Sequence, residues 1–405
     1  MPLDLIIANA RLDGWPTPVD IGIADGRIVE IAPMIDAAAP RDDARGALAF
    51  GGFVECHIHL DKAGILDRCP ICEGTLKEAV ALTAKAKAAF TVPDVRTRAT
   101  KVVEAAILHG TTRLRSFVEI DPRAGFRSFE ALLEVKRDCS WAIDIELCAF
   151  AQEGLTQEMA TYGMLDEALG AGAGLVGGCP YTDPDPLAHV GLIFDLAEKH
   201  GTAVDFHADF DLDPEHSILP EIARQARARG FSGRVSVGHA TKLSAMGPDE
   251  VDRLGTELAA AGIAVTALPA TDLFILGNLA PLLRLKQLGA EVTLGSNNIL
   301  NPFTPYGDAS LLRIANLYAN VAQLSRDEDL AAAFEMVTSA PARQLAVPYG
   351  IVVGAPADIV LLDAPDGAIA VRTVAPVLAG YKRGIRTFIR PRPTLLAPER
   401  PPAAM

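Results

Sequence analysis

The chain has 405 residues, half of them apolar, and carries a formal net charge of −14. A chain of this length and apolar content can bury one large core with a smaller appended unit, which excludes a disordered or fibrous protein. The acidic balance argues against nucleic acid and anionic membranes as partners, because both require a basic face. It favours a small neutral or cationic molecule instead.

The cysteines and the N-terminus bear on the cellular compartment. Six cysteines in so long a chain are too sparse for a disulfide framework, which favours a reducing cytoplasm. The first residues lack the basic segment and apolar run of a signal peptide, and no stretch of about 18 apolar residues is present to span a membrane. We therefore expect a cytoplasmic protein. The sequence leaves open whether it forms a homo-oligomer.

Both ends of the chain have a β pattern. Short apolar runs occupy residues 1 to 50, where Asp25-Gly26 lies between two of them and is a hairpin signal. After about residue 345 strand-like runs return at Ile351-Val352-Val353, at 358–362 and at 385–389. We predict that residues 1–50 and 345–395 form one small β-sandwich domain. The last dozen residues, rich in Pro and Ala, are expected to be a loose tail.

Between residues 51 and 344, apolar strand-like runs alternate with helical periods such as 76–90 and 311–324. This alternation is typical of a parallel sheet covered by helices. The strand cores are 53–56, 113–118, 145–148, 175–177, 203–206, 235–237, 264–267 and 292–294. Eight such units predict an α/β fold, a closed (β/α)₈ TIM barrel.

Four of the eight histidines follow strand cores of this predicted barrel. His57 and His59 follow the first strand, His207 the fifth and His239 the sixth. Residues two apart in a strand point to the same face, so His57 and His59 can reach one ion. Active sites of this barrel lie at the C-terminal ends of its strands. Imidazoles without thiolates suit zinc, iron(II), manganese or cobalt, and we expect one divalent ion, zinc or iron first.

Several motifs together resemble the amidohydrolase superfamily and, within it, the cytosine deaminase-like branch. The resembling segments are the first-strand metal motif at 53–62, the segment at 149–154 whose glutamine contacts the pyrimidine, the Gly-His-Ala-Thr of strand six at 238–241, and the segment after strand eight at 301–307. The resemblance covers nearly the whole chain. It implies a metal-dependent hydrolase acting on a carbon-nitrogen bond.

The resemblance also implies a role for individual residues. The implied metal ligands are His57, His59, His207 and, at the strand-eight position, Asn297. His239 is the implied catalytic residue. The expected substrate-binding residues are Gln152, Asn298 and Phe303 by resemblance, and Phe210 because it stands where a polar side chain normally meets the ring. Aromatic walls with a few amides suit a flat ligand.

Two positions depart from the family's pattern. Asn297 stands where the family has a carboxylate that binds metal and takes a proton from the attacking water, and an amide cannot act as a base. Phe210 stands where the family has a glutamate that moves a proton to the ring nitrogen. Losing one general acid or base costs about 10²- to 10⁴-fold in rate. The sequence therefore argues against efficient cytosine deamination.

Two functions stay open at this point. In the first, the chain hydrolyses a non-peptide carbon-nitrogen bond of a small cyclic amide, amidine or N-substituted heterocycle, and His239 shares proton transfer with Asp209, Asp211 or Glu119. In the second, the chain is a catalytically impaired homologue that binds a small molecule. The four strand-end histidines favour the enzyme.

Overall fold

The first fifty residues form short strands in the computed structural model, which describes residues 2–396. The strands are β1 (Leu5–Ala10), β2 (Val19–Ala24), β3 (Arg27–Ala32), β4 (Arg41–Asp43) and β5 (Leu48–Phe50). The first four make one sheet in the order β3-β2-β1-β4. Asp25 and Gly26 join β2 to β3, and both have positive φ angles (50° and 70°), as a type I′ hairpin turn requires. Most of the predicted C-terminal tail lies outside the described residues.

Eight parallel strands then form the barrel, each paired with the next in chain order. They are β6 (Phe53–Ile58), β7 (Thr111–Glu119), β8 (Asp144–Ala151), β9 (Leu175–Gly178), β10 (Ala203–Ala208), β11 (Val235–His239), β12 (Ile263–Ala267) and β13 (Val292–Leu294). The ring closes just after β13, where Asn297 N donates to His57 O (2.8 Å) and His59 N donates to Asn297 O (2.7 Å). All eight predicted strand cores lie in these strands, and the predicted (β/α)₈ barrel is confirmed.

Helices surround the barrel. They are α1 (Leu76–Lys87), α2 (Val92–Leu108), α3 (Arg127–Asp138), α4 (Ala160–Gly170), α5 (Pro186–His200), α6 (Leu219–Ala228), α7 (Pro248–Ala260), α8 (Pro269–Leu276), α9 (Leu282–Gln287), α10 (Leu311–Val321), α11 (Asp327–Glu335), α12 (Ser339–Gln344) and α13 (Gly367–Thr373), with 3-10 turns at Leu66–Arg68, Pro180–Thr182 and Thr241–Ala245. α1 begins where predicted because Thr75 Oγ1 accepts from Glu78 N (3.2 Å). Among the described helices, none has the length and hydropathy needed to cross a membrane.

The C-terminal strands complete a β-sandwich with the N-terminal ones. β14 (Ile359–Leu362), β15 (Val377–Lys382) and β16 (Ile385–Ile389) form a second sheet with β5, in the order β16-β15-β14-β5. The inner faces of the two sheets share one apolar core, to which Ile7 and Ile21 contribute from the first sheet and Ile359 and Tyr381 from the second. Both chain ends therefore build the sandwich, as predicted. The domain limits at residues 50 and 345 stay predictions.

The predicted strand at Ile351-Val352-Val353 is wrong. These residues lie in a turn, and the side chains of Val352 and Val353 are 56% and 62% exposed. Gly354, with φ 93°, holds the turn against β3, where Gly354 N donates to Ile28 O (2.7 Å). A run of apolar, β-branched residues is typical of a strand. Here the backbone forms hydrogen bonds to β3 at the turn and does not pair with it as a strand.

Candidate active site

Three histidine side chains converge at the C-terminal mouth of the barrel. His57 belongs to β6, His59 follows it directly, and His207 belongs to β10 on the far side of the ring. His207 Nε2 lies 3.0 Å from His57 Nε2 and 2.9 Å from His59 Nε2. The nitrogens of all three lie within 4.8 Å of one another, and the three side chains are fully buried. The barrel thus brings together three residues that the sequence placed on two separate strands.

The donor chemistry of these histidines fits one divalent metal ion. Burial, reinforced by the neighbouring positive groups, lowers the pKa of His57, His59 and His207 well below the usual value, so each ring is neutral. His207 Nε2 carries either a proton or a lone pair, so hydrogen bonding alone can satisfy only one of its two neighbours. A single cation would accept lone pairs from all three nitrogens.

Asn297 lies beside this cluster, because its backbone bonds to His57 and His59 where the barrel closes. Its side-chain oxygen is buried and has no hydrogen-bond partner among the described residues. An unsatisfied buried polar atom costs about 1–3 kcal/mol, so a ligand at this oxygen would be favourable. Asn297 stays the candidate for the fourth metal ligand that the resemblance implies.

The space for the histidine rings depends on a glycine and on aromatic side chains. The Phe117 ring lies 4.2 Å from the ring of His57, and the Phe150 ring lies 4.2 Å from that of His207, measured between centroids. A Cβ atom on Gly238 would lie 2.5 Å from Cε1 of His57. Glycine at position 238 therefore lets β11 pass close to the His57 ring.

We expect Gly238→Ala to weaken metal binding by about 10- to 100-fold, because the added methyl group must displace the His57 ring. Competition against a chelator would measure the metal affinity. Gly163→Ala in α4 is the matched control, since a Cβ there meets nothing within 4 Å and the change should leave metal affinity intact. Equal metal affinity in the two variants would show that His57 is not a ligand.

His239 is held by an acidic partner that the sequence did not reveal. Nδ1 of His239 donates to Oδ1 of Asp272 (2.6 Å), and Oδ2 of Asp272 accepts from Leu268 N (2.9 Å). Both side chains are buried. This arrangement leaves Nε2 of His239 free to accept a proton. The one sequence feature that could have pointed to Asp272 is its position on α8, the helix that begins just after predicted strand seven.

The Phe210 ring stacks on His239, with the ring centroids 3.9 Å apart and the planes inclined by 27°. The position of the missing glutamate is therefore filled by a ring that packs on the catalytic candidate. It orients His239 and excludes water from one face of the imidazole, but it transfers no proton.

The expected pocket residues lie around Lys62, which the sequence did not single out. Lys62 Nζ donates to Gln152 Oε1 (3.1 Å) and lies 4.7 Å from the centroid of the Phe303 ring. Asn298 Oδ1 accepts from Asn301 Nδ2 (2.7 Å), which ties it to the segment that carries Phe303. Three of the four expected substrate-binding residues thus lie near Lys62, whereas Phe210 stacks on His239.

Comparisons with known proteins agree with this geometry. A family model described as amidohydrolase family matches residues 117–386. The chain belongs to the amidohydrolase family. It is 29% identical over 393 residues to the N-isopropylammelide isopropyl amidohydrolase of Pseudomonas sp. strain ADP, covering 94% of this chain and 96% of that one. It is also 29% identical over 360 residues to the pterin deaminase of Rhizobium rhizogenes, covering 85% and 82%.

Among solved structures, the 5-methylcytosine deaminase of Klebsiella pneumoniae liganded with 5-fluorocytosine superposes with a TM-score of 0.92 at 29% identity, covering 98% of this chain and 100% of that one. The predicted superfamily and its cytosine deaminase-like branch are confirmed. This amidohydrolase is a hydrolase acting on carbon-nitrogen bonds other than peptide bonds, in a superfamily that depends on metal.

Three carboxylates were proposed from the sequence as partners of His239 in proton transfer, namely those of Asp209, Asp211 and Glu119. Both oxygens of Asp209 accept within their own loop, from Ser217 Oγ (2.5 Å) and Ile218 N (3.1 Å). Asp211 is half exposed and pairs with Lys242 (3.0 Å). Glu119 alone of these three contacts a pocket residue, Lys62. His239 is therefore better placed for proton transfer than Asp209 or Asp211.

We expect Asp272→Asn to lower kcat of the amidohydrolase by about 10²- to 10⁴-fold while KM and bound metal change little. An asparagine whose oxygen still accepts from Leu268 N turns its NH₂ group toward Nδ1 of His239, which forces the proton onto Nε2. Nε2 then cannot accept a proton. Steady-state kinetics and metal analysis would separate this effect from loss of the site, and Asp272→Glu should recover part of the rate. Unchanged kcat in Asp272→Asn would remove His239 from the chemistry.

Proposed function

We propose that this amidohydrolase uses one divalent metal ion, zinc or iron, to hydrolyse a carbon-nitrogen bond of a small cyclic amide, amidine or N-substituted heterocycle. The proposed metal ligands are His57, His59, His207 and Asn297. One observation carries the proposal, namely three neutral imidazole nitrogens within 4.8 Å of one another beside a buried His-Asp pair. The relatives named for N-isopropylammelide, pterin and 5-methylcytosine support a nitrogen heterocycle as substrate.

When bound, the ion would acidify water and polarise the carbon under attack. Proton transfer is assigned to His239, because positions 210 and 297 carry no acid or base. Nε2 of His239 accepts the proton released by the nucleophile and returns it to the departing nitrogen. Asp272 keeps the proton on Nδ1 and stabilises the imidazolium between these two steps.

The proposed substrate pocket lies between Phe210 and Phe303, with Gln152 and Asn298 as the hydrogen-bonding groups. Two aromatic walls and two amides suit a flat ring with donors and acceptors on its edge. The family pattern has acid-base groups at positions 210, 239 and 297, whereas this chain has only His239. Protonation of the leaving nitrogen is therefore catalysed less well than in the family pattern. We therefore expect faster turnover of substrates whose leaving group needs little protonation than of cytosine.

Metal analysis combined with a substrate panel tests the proposal. Protein purified without chelator should hold about one ion per chain, and it should hydrolyse at least one ring among cytosine, 5-methylcytosine, an N-alkylated ammelide and a pterin. Removal of the ion with a chelator should abolish this activity, and adding zinc or iron(II) should restore it. A chain that takes up no metal after supplementation and turns over none of these rings would instead be a small-molecule binding protein.

A further inference from the structure

The chain segment that follows β9, residues 179–183, contacts Gln152, the glutamine expected to bind the ring. Cys179 N donates to Ala151 O (3.1 Å). Thr182 Oγ1 shares its hydrogen between the backbone oxygens of Gln152 and Cys179 (both 2.9 Å). These bonds join the ends of β8 and β9. The backbone of Gln152 is therefore fixed by the neighbouring strand, and only its side-chain torsions remain to be set.

The side-chain amide of Gln152 is held at both of its ends. Lys62 Nζ, which can only donate, lies 3.1 Å from Oε1, and Nε2 donates to Sγ of Cys179 (3.2 Å). Because an ammonium group would repel Nε2, the amide does not turn over end for end. An NH₂ group has two N–H bonds, so one of them stays available to a ligand after the bond to Cys179 is made.

The thiol of Cys179 suits a position between polar and apolar neighbours. Cys179 is fully buried, and it belongs to an apolar cluster that includes Phe117, Cys148 and Phe150. The two phenyl rings of this cluster pack on the three histidines. Burial raises the pKa of the thiol to about 12, so the sulfur stays neutral and acts as a small apolar group that is also a weak acceptor. Its bond to the amide is therefore independent of pH through the neutral range.

Asp183, at the end of the same segment, holds the loop that follows Gln152. Its carboxylate accepts from the backbone N of Leu155 (2.6 Å) and of Thr156 (3.0 Å), and Nδ1 of His189 lies 2.9 Å from it. Burial raises the pKa of Asp183, but these hydrogen bonds outweigh it and hold that pKa below the usual value. The carboxylate is thus an anion at neutral pH. The segment therefore fixes both Gln152 and the loop beyond it.

We propose that residues 179–183 are a positioning segment for substrate binding, in which Cys179 is the positioning residue that sets the amide of Gln152 before the ring binds. The inference rests on the proposed function, in which Gln152 hydrogen-bonds the ring, and it adds the residue that acts through this glutamine. A side chain that is already held in its binding conformation loses little freedom when the ligand binds, which raises affinity. Without the thiol, Nε2 loses its partner and the amide samples more conformations.

A double-mutant cycle tests this role, with cytosine, 5-methylcytosine, an N-alkylated ammelide and a pterin as probes. Cys179→Ala should raise KM by about 3- to 10-fold for each ring that is turned over and change kcat by less than about twofold, because the loss of one hydrogen bond weakens binding. In a Gln152→Ala background the same change should alter KM by less than about twofold, since the amide through which Cys179 acts is then absent. Cys179→Ser keeps an acceptor at this position and should recover part of the affinity.

Cys148→Ala is the matched control. Cys148 is equally buried in the same cluster, but its Sγ bonds the backbone O of Ala149 (3.8 Å) instead of a pocket side chain. The control removes the same sulfur atom from the same cluster, so it should lower the free energy of unfolding and leave KM unchanged. A purely structural role for Cys179 predicts equal KM in the two variants, or equal effects of Cys179→Ala with and without Gln152. Either result would overturn the inference.

Isotopic labelling of the glutamine side-chain nitrogen gives a second readout, by NMR, that needs no turnover. The NH₂ signals of Gln152 are assigned by their loss in Gln152→Ala, and they should shift in Cys179→Ala but not in Cys148→Ala. Signals that do not move in Cys179→Ala contradict the inference, whatever the activity.

Metal content and turnover of the wild type separate this inference from the proposed function. A wild type that binds metal and hydrolyses a ring, but whose KM does not respond to Cys179→Ala, contradicts only the positioning role. A wild type that binds no metal and turns over none of the four rings contradicts the proposed function and, with it, the role of Gln152 on which the inference rests.

Discussion

The variant Asn297→Asp/Phe210→Glu is expected to bind metal more tightly and to raise kcat/KM for cytosine by at least about 10²-fold. Aspartate at position 297 adds a negative charge to a site whose other three ligands are neutral imidazoles, and charge favours the cation. Glutamate at position 210 replaces the ring that stacks 3.9 Å from His239 with a group that can carry a proton to the substrate. Steady-state kinetics on cytosine and metal titration provide the measurement.

Matched variants separate charge from shape in this experiment. Asn297→Asp/Phe210→Gln has nearly the same volume at position 210 but no acid there, so it should gain in metal affinity without the full gain in kcat. If the acidic double variant neither binds metal better nor gains on cytosine or related pyrimidines, the two positions do not correspond to the family's carboxylates.

Replacing His207 by alanine should remove the bound metal and lower kcat/KM by about 10³-fold or more, since the ion supplies several kcal/mol of transition-state stabilisation. His207 Nε2 lies within 3.0 Å of the Nε2 atoms of both His57 and His59, so its loss opens the centre of the cluster. Metal content after dialysis and turnover of the best substrate check the result.

His189→Ala provides the control for this loss. His189 is equally buried, but it lies on α5 and its Nδ1 bonds Asp183 (2.9 Å), away from the three histidines. Replacing His189 by alanine removes packing contacts and should lower the free energy of unfolding, but the folded variant should keep its metal. Retention of metal in His207→Ala, or loss in both variants, would count against a site built on His207.

The strands and part of the site were predictable because they depend on local pattern. Apolar runs of three to six residues marked each barrel strand, and alternation within a strand placed His57 and His59 on one face. The run at Ile351-Val352-Val353 has the same local pattern but forms a turn, and the chain meets β3 only just after it, where Gly354 N donates to Ile28 O. Local pattern predicts the capacity to form a strand, and pairing depends on the rest of the fold.

The partners of the site residues were not predictable in this way. Asp272 is 33 residues from His239, and Glu119 is 57 residues from Lys62, so no spacing rule connects either pair. Each pair meets because neighbouring or nearby strands end at the same mouth of the barrel. The sequence also predicted Phe210 only as a pocket residue, whereas the folded chain stacks its ring on His239.

The barrel, the sandwich and the histidines at the ends of β6, β10 and β11 were predictable from the sequence alone, because each strand is marked by residues close together in the chain. Only the tertiary structure shows that the ring nitrogens of His57, His59 and His207 lie close together, that Asp272 bonds His239, and that Lys62 donates to Gln152. These contacts join strands far apart in sequence, and their distances depend on how the eight strands close into a ring.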